Sequence, residues 1–178
     1  MFHFFALIFS GFLIGCSPSL SPFTERLKQE QGWQIEELSK IQFYLSEDVI
    51  LRRQIAAGSS EIISGEIKIV DGRKIEEIFI KEGTPGILVE QPKKNRIGIS
   101  FEDGFDDRYL MFGPNPKRGG RYVLLASDWD KRKGTITYDG RKYYISLQDG
   151  GSAILEVDLK KSTRTKVNSR TAGGRKID

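Results

Sequence analysis

The pattern of hydrophobic and polar positions is typical of β-structure from Ile41 to Asp158. Short apolar or alternating segments recur there, separated by clusters of Gly, Pro, Asp and Asn. Such segments at a spacing of about 8–12 residues are typical of antiparallel strands joined by tight turns. We therefore predict an all-β fold of about nine or ten strands, arranged as an antiparallel meander, a sandwich or a small barrel.

A helical pattern precedes the predicted strands. Between residues 23 and 39, apolar residues stand one helical turn apart with charged residues between them, and Gly32 interrupts the series. Glycine in a helix interior costs about 1 kcal/mol relative to alanine. We therefore predict a short N-terminal helical segment of one or two helices.

The Asp139-Gly140 pair marks the clearest predicted hairpin. Asp-Gly favours the two positive-φ positions of a type I′ turn. A two-residue turn would pair Ile136 with Tyr143 and place both residues, together with Ile145, on one face of the hairpin. We expect that face to be buried.

The Asp71-Gly72 pair fits the same type of turn less well. A two-residue turn there would place Ile69 opposite Lys74, so that an apolar residue would face a charged one. This mismatch favours a longer loop or a β-bulge at this position.

An apolar run over residues 4–14 ends at Gly15 and Cys16. A membrane-spanning helix needs roughly 20 apolar residues, whereas the core of a signal peptide needs about 7–15 and ends at small residues. The run therefore predicts a cleaved signal peptide.

The segment Leu13-Ile14-Gly15-Cys16 resembles the lipobox of bacterial lipoproteins. The resemblance implies that cleavage leaves Cys16 as the first residue, carrying a diacylglyceryl group that anchors the protein to a membrane. In enterobacterial lipoproteins an Asp after the cysteine favours the inner membrane, and Ser17 stands at that position. The resemblance therefore implies a lipid-anchored protein of the cell envelope, with the periplasmic face of the outer membrane preferred over the inner membrane.

The predicted organisation has four parts. Residues 1–15 are the lipoprotein signal peptide, 16–22 a tether, 23–158 a single mostly β domain with its N-terminal helix, and 159–178 a basic C-terminal strand or tail. In its general pattern the mature domain resembles small β-rich envelope lipoproteins.

The composition excludes several classes of enzyme. The chain has one cysteine and one histidine; the predicted cleavage removes His3, and the lipid occupies the Cys16 thiol. Ser-His-Asp and Cys-His catalysis and histidine-bound zinc are then excluded for the mature protein. We predict a binding, scaffolding or assembly factor that needs no cofactor and is not an enzyme. The alternative is a carboxylate-dependent envelope enzyme acting on glycans.

Four carboxylates, those of Glu102, Asp103, Asp106 and Asp107, stand within six residues at a predicted turn. Carboxylate oxygens on a flexible loop suit Ca²⁺, which makes these residues weak candidates for metal ligands, but their spacing is not that of an EF-hand. A pair of them in a cleft would suit glycoside hydrolysis. We favour a solvated hairpin tip without a metal, in which Asp106 or Asp107 pairs with Arg108.

The C-terminal residues 159–178 carry a net charge of +6, against +4 for the whole chain. Alternation of apolar and polar residues over 155–171 predicts one long strand or two consecutive strands. Cations on one face of such a strand would suit anionic headgroups or an anionic envelope polymer, whereas the alternative is a solvated tail or an edge strand that avoids aggregation. The cations predicted to share that face are Lys160, Arg164, Lys166 and Arg170.

Trp129 stands between two aspartates in a predicted turn. It is the aromatic residue that we expect to be exposed, as a contact for a sugar or a protein partner. The alternative is a tryptophan that caps its own loop.

Residues 113–120 combine Gly and Pro with Lys117 and Arg118. Such a loop would suit an anion, but it lacks the Gly-Lys-Ser/Thr ending of a P-loop, and an ordinary connection is favoured. The chain has no RNP-like motif, so nucleic acid is not an expected partner. The expected partners are the membrane, through the Cys16 lipid, and an envelope protein or an anionic envelope polymer.

Overall fold

The computed structural model describes residues 19–56 and 65–162 of the chain. Within these ranges the fold is all-β, as predicted, with two antiparallel sheets and short helices. The strands are β1 (Leu20–Pro22), β2 (Phe43–Leu45), β3 (Val49–Gln54), β4 (Glu66–Val70), β5 (Arg73–Ile80), β6 (Pro85–Lys93), β7 (Arg96–Ser100), β8 (Tyr109–Asn115), β9 (Arg121–Leu124), β10 (Asp128–Asp130), β11 (Lys133–Tyr138), β12 (Arg141–Ser146) and β13 (Leu155–Asp158). The helices are α1 (Glu25–Glu30), α2 (Ile35–Leu38) and α3 (Leu159–Ser162), with 3₁₀ turns at Pro116–Arg118 and Leu147–Asp149.

The sheets contain seven and six strands. The seven-stranded sheet has the order β1-β13-β2-β6-β7-β8-β9, and the six-stranded sheet has the order β10-β11-β12-β3-β5-β4. The described strands exceed the nine or ten expected, because three-residue strands such as β1 and β10 are too short to give a pattern of their own.

The seven-stranded sheet closes on itself. Isolated bridges join Thr24 to Arg121 and Ile154 to Val123, so that β9 at one end of the strand order meets the chain next to β1 and β13. The Tyr122 N–H also donates to the Phe23 carbonyl at 3.0 Å. Consequently β1, the start of α1 and β9 meet at one edge of the fold.

One hydrophobic core is shared by both sheets. Phe23, the residue after β1, is fully buried in this core. The centroid of the Phe23 ring lies 4.6 Å from that of Tyr122 and 5.2 Å from that of Phe43. Ile136, Tyr143 and Ile145 belong to the same core, as the predicted hairpin requires. Burial of apolar side chains in such a core is the main favourable contribution to folding.

The predicted break in the helical segment is confirmed. Helices α1 and α2 lie on either side of Gly32, which has a φ of 65°. Thr24 begins α1 in an extended conformation, and its hydroxyl accepts a hydrogen bond from the Leu27 N–H at 3.0 Å.

Replacing this N-cap is expected to destabilise the protein moderately. Thr24→Ala removes the acceptor for the Leu27 N–H, and loss of such a cap costs about 1 kcal/mol. Thr24→Ser keeps a hydroxyl and should remain close to the parent protein. Urea unfolding of the three proteins measures the difference, and equal midpoints for the Ala and Ser variants would contradict it.

The predicted hairpin at Asp139-Gly140 is confirmed in its register. Asp139 and Gly140 have φ of 51° and 67°, and Ile136 pairs with Tyr143.

The expectation of a longer loop at Asp71-Gly72 is wrong. A two-residue turn joins β4 and β5, with φ of 49° and 72°, and Ile69 does stand opposite Lys74. The physical reason is that β4 is an edge strand with all five residues exposed, Ile69 at 76%. Register is weakly specified by hydrophobicity where neither face of a strand is buried.

Both expected ends of the domain need correction. Leu20–Pro22, assigned to a tether, forms β1 and pairs with β13. The strand predicted over 155–171 ends at Asp158, whose carboxylate accepts a hydrogen bond from the Lys160 N–H at 3.0 Å as α3 begins. Lys160 therefore lies in a helix and not in a strand ladder.

The remaining ladder cations, Arg164, Lys166 and Arg170, lie outside the described residues, as does Cys16.

The segment 113–120 is also more ordered than an ordinary connection. Strand β8 continues through Pro114 to Asn115, although proline lacks a backbone N–H. The pairing of β8 with β7 ends at Phe112, so beyond that residue β8 pairs with β9 alone. The missing N–H of Pro114 therefore costs no hydrogen bond to β7.

Candidate functional site

A groove of about 540 Å³ crosses the outer face of the six-stranded sheet. We call it the sheet groove. It combines an exposed aromatic ring and aliphatic side chains with several cations. Its lining residues are Arg52, Arg53, Gln54, Val70, Ile75, Asp130, Arg132, Lys133, Tyr144, Ile145, Ser146 and Asp149.

Arg52 holds the polar part of the sheet groove together. Its Nε donates to Glu77 at 2.8 Å and its Nη1 donates to Asp149 at 2.7 Å. Asp149 also accepts a hydrogen bond from the Ser146 hydroxyl at 2.5 Å, and Lys68 pairs with Glu77. Charge-assisted hydrogen bonds of this kind fix side-chain geometry, so the network pre-organises the floor of the groove.

The carboxylates of this network are held in their charged form. The hydrogen bond from Lys68, supported by Arg52, lowers the pKa of Glu77. Burial acts to raise the pKa of Asp149, but hydrogen bonds from Ser146 and Arg52 outweigh it and place that pKa below its ordinary value. Neither group is suited to hold a proton for a general acid near neutral pH.

Tyr144 supplies the exposed ring of the groove. It stands opposite Arg52 in the pairing of β12 with β3 and is 42% exposed. The Lys133 ammonium lies 3.8 Å from its ring centroid, within the range of a cation–π contact. An exposed tyrosine of this kind offers a rigid apolar face with a polar hydroxyl, which is typical of contact surfaces.

A buried ion pair supports the groove from below. Glu76 is fully buried, and its carboxylate accepts a hydrogen bond from Arg53 Nε at 2.9 Å. The Arg53 guanidinium also lies 5.5 Å from the ring centroid of Tyr143. The pair joins β3 to β5 at the register position next to that of Arg52 and Glu77.

In the acidic turn, residues 102–107, the Glu102 side chain forms hydrogen bonds within the fold. Glu102 accepts a hydrogen bond from Arg108 at 3.0 Å and another from the Tyr138 hydroxyl. Burial, followed by that hydrogen bond, raises the pKa of Tyr138. Arg108, for which Asp106 or Asp107 was the expected partner, pairs with Glu102 and lies 3.9 Å from Asp139.

The weak metal candidates are not brought together. Asp103, Asp106 and Asp107 are exposed, whereas Glu102 faces Arg108 and Tyr138. Within residues 19–56 and 65–162, no group of three or more His, Cys, Asp or Glu side chains is placed to hold a metal ion.

Trp129 packs against two glycines, one on the neighbouring strand β11 and one in the turn before β13. A Cβ added at Gly151 would lie 2.8 Å from the Trp129 ring, and one at Gly134 would lie 3.1 Å from it. The indole thus covers two glycines and is 37% exposed, less than Tyr144 and less than Phe79 at 55%. Trp129 is therefore exposed, as expected, but Phe105, at 43%, is also more exposed than Trp129. A contact with a sugar or a protein partner through Trp129 stays a prediction.

A second groove, of about 710 Å³, lies at the edge where β1, α1 and β9 meet. We call it the edge groove. It is rich in arginine, with a single carboxylate among its lining side chains. Its lining residues are Ser21, Pro22, Thr24, Arg26, Leu27, Glu30, Arg118, Gly119, Arg121 and Leu159.

No known protein family, curated protein or solved structure matches this chain. None of the helices in the described part of the chain has the length and apolar character needed to cross a membrane.

Proposed function

We propose that the protein is a lipid-anchored bacterial envelope protein that acts as a binding, scaffolding or assembly factor. Cys16 carries the anchor, and the periplasmic face of the outer membrane is its preferred location. The sheet groove is the contact surface, and an envelope protein is the partner that its chemistry fits best.

The observation that carries this proposal is the composition of the sheet groove. Tyr144, Val70 and Ile75 provide apolar contact area beside the cations Arg132 and Lys133. Aromatic residues and arginine are enriched in the cores of protein interfaces. A partner segment with an apolar anchor flanked by carboxylates would complement this surface.

The groove favours binding over the alternative of a glycan-cleaving enzyme. Such an enzyme needs one carboxyl group that keeps its proton near neutral pH and a second one in the same cleft. In the sheet groove the pKa of Asp149 is lowered, and its Oδ2 atom already accepts hydrogen bonds from Arg52 and Ser146. This carboxylate orients Arg52 and is poorly placed to donate a proton.

Site-specific photo-crosslinking in living cells tests the contact surface. Tyr144 is replaced by benzoylphenylalanine in the full chain, and Ile87, which is similarly exposed but belongs to the seven-stranded sheet, serves as the control position. We expect a discrete adduct from position 144 and none from position 87. Identical adducts from both positions would contradict the proposal.

A charge substitution tests whether the cations of the sheet groove contribute to the crosslink. Lys133→Glu places a negative charge beside Tyr144 and should weaken the adduct, since like charges across an interface are strongly unfavourable. Lys142→Glu is the matched control, because Lys142 is exposed on the neighbouring strand but does not line the groove. Equal loss with both variants would assign the effect to net charge and not to the groove.

A further inference from the structure

Strand β1 brings the predicted anchor very close to the folded domain. β1 begins at Leu20, which pairs with Asp158 at the end of β13. Four Cα–Cα steps separate Cys16 from Leu20, and a fully extended chain covers at most about 3.6 Å per step, or about 14 Å in all. Once Cys16 is lipidated, this edge of the domain cannot leave the bilayer surface by more than about that distance.

The edge groove occupies the same edge. Ser21 and Pro22 of β1 form part of its wall, next to Leu20. Arg26, Arg118 and Arg121 provide three exposed guanidinium groups around it, against the single carboxylate of Glu30.

The arginines are carried by fixed backbone. Arg121 bridges to Thr24, the residue that caps α1, and α1 carries Arg26. Arg118 is the last residue of the 3₁₀ turn Pro116–Arg118, and its Nη1 donates to the Ser152 carbonyl at 2.8 Å. The remaining N–H groups of a guanidinium so held still suit the bidentate recognition of phosphate.

Glu30 neutralises only part of this charge. It pairs with Arg26 at 3.3 Å, and both side chains are mostly exposed, at 85% for Arg26 and 56% for Glu30. Exposed pairs of this kind are weak and readily exchange partners. Lys160 extends the positive charge at this edge, because α3 starts directly beside Leu20 and its Leu159 lines the groove.

We propose that the edge groove binds the phosphates of anionic phospholipid headgroups in the same bilayer that holds the acyl chains of Cys16. This inference rests on the proposed lipid anchor. The tether keeps Leu20, beside the groove, within about 14 Å of the membrane surface, which is roughly one to two Debye lengths at 0.1–0.15 M salt, so that cations there are attracted to anionic headgroups. Each such cation strengthens association by about fivefold. Docking through this edge fixes the orientation of the domain on the membrane.

Arginine footprinting on vesicles tests the docking. The lipidated full-length protein is reconstituted into phosphatidylcholine vesicles with or without phosphatidylglycerol. Phenylglyoxal then modifies accessible guanidinium groups, and mass spectrometry gives the rate at each arginine. Arg73, which is exposed in the hairpin that joins β4 to β5 in the six-stranded sheet, is the internal control.

We expect phosphatidylglycerol to slow modification of Arg26, Arg118 and Arg121 by about fivefold or more at low salt, with modification of Arg73 unchanged and the protection lost at high salt. Equal rates on both kinds of vesicle would overturn the docking. In that case any shielding of the groove would come from the tether alone and not from anionic headgroups. Protection by inorganic phosphate without vesicles would also overturn it, in favour of a site for a free anion.

Two further measurements distinguish a failure of the lipid anchor from a failure of headgroup binding. Arg118→Gln with Arg121→Gln should abolish the protection of Arg26, whereas Arg73→Gln with Lys74→Gln, which removes two exposed charges that line neither groove, should leave it intact. The mass of the N-terminal peptide reports the acyl chains on Cys16. An unmodified peptide would overturn the anchor and the docking together, whereas an acylated peptide without protection would overturn the docking alone.

Discussion

Cys16→Ala is expected to abolish acylation of the protein. Cys16 is the only cysteine of the chain, so the substitution removes the only thiol that could receive a diacylglyceryl group. Two or three acyl chains hold a protein firmly on a membrane, whereas a protein without them must rely on weaker surface contacts. In cells fed a fatty-acid probe, the parent protein should be labelled and float with membranes, and the variant should take up no label.

The fate of the apolar segment needs its own control. Lipoprotein signal peptidase cleaves before a lipidated cysteine, so Cys16→Ala would keep residues 1–15 attached. A second variant therefore combines Cys16→Ala with a signal peptide that ends in an Ala-x-Ala cleavage site. This form should be released into the soluble fraction, whereas Ser17→Ala should stay labelled and membrane-bound. Labelling of the Cys16→Ala protein, or flotation of the released form at high salt, would contradict the lipid anchor.

The hairpins show which local patterns predict structure and which do not. At Asp139-Gly140 the turn residues and the alternation of buried side chains agree, and the register follows from both. At Asp71-Gly72 the turn residues specify the same geometry, but β4 has no buried face. The type of turn was therefore the better guide there, because a hydrophobic pattern can report register only where one face enters the core.

The ends of the domain differ from the sequence prediction for a related reason. The short β1 gives no periodic signal, since Ser and Pro stand among its three residues. It forms because the side of β13 that does not pair with β2 is available to β1, and because Phe23, the next residue, is fully buried. At the other end the alternation continues beyond Asp158 in the sequence, but the carboxylate of Asp158 accepts the Lys160 N–H and starts a helix.

The two grooves depend on contacts between residues far apart in the chain. The alternation in the hairpin already places Tyr144 on the outer face, so this part of the sheet groove was open to prediction. The pairing of Arg52 with Asp149 could not be predicted, because the two residues are 97 positions apart and no local pattern joins them. The edge groove likewise needs β9 to meet the start of α1, which follows from closure of the sheet.

Arg53→Met is expected to lower the free energy of unfolding by about 3–5 kcal/mol, because it removes the cation that pairs with a buried carboxylate. The Glu76 carboxylate is fully buried, and Arg53 Nε donates to it at 2.9 Å. Methionine keeps much of the length of the arginine side chain, so the loss reports charge and hydrogen bonding more than packing. Urea unfolding at neutral pH measures it as a lower midpoint with an unchanged slope.

Arg52→Met is the matched control, since Arg52 is the next residue on the same strand and also pairs with carboxylates. Its side chain is 40% exposed, and its partners Glu77 and Asp149 retain contact with water. Loss of a partly exposed pair costs about 1 kcal/mol or less. The double variant Arg53→Met with Glu76→Met should recover part of the loss, because no charge is then left buried. An equal cost for Arg52→Met and Arg53→Met, or no recovery in the double variant, would show that the buried charge does not determine the effect.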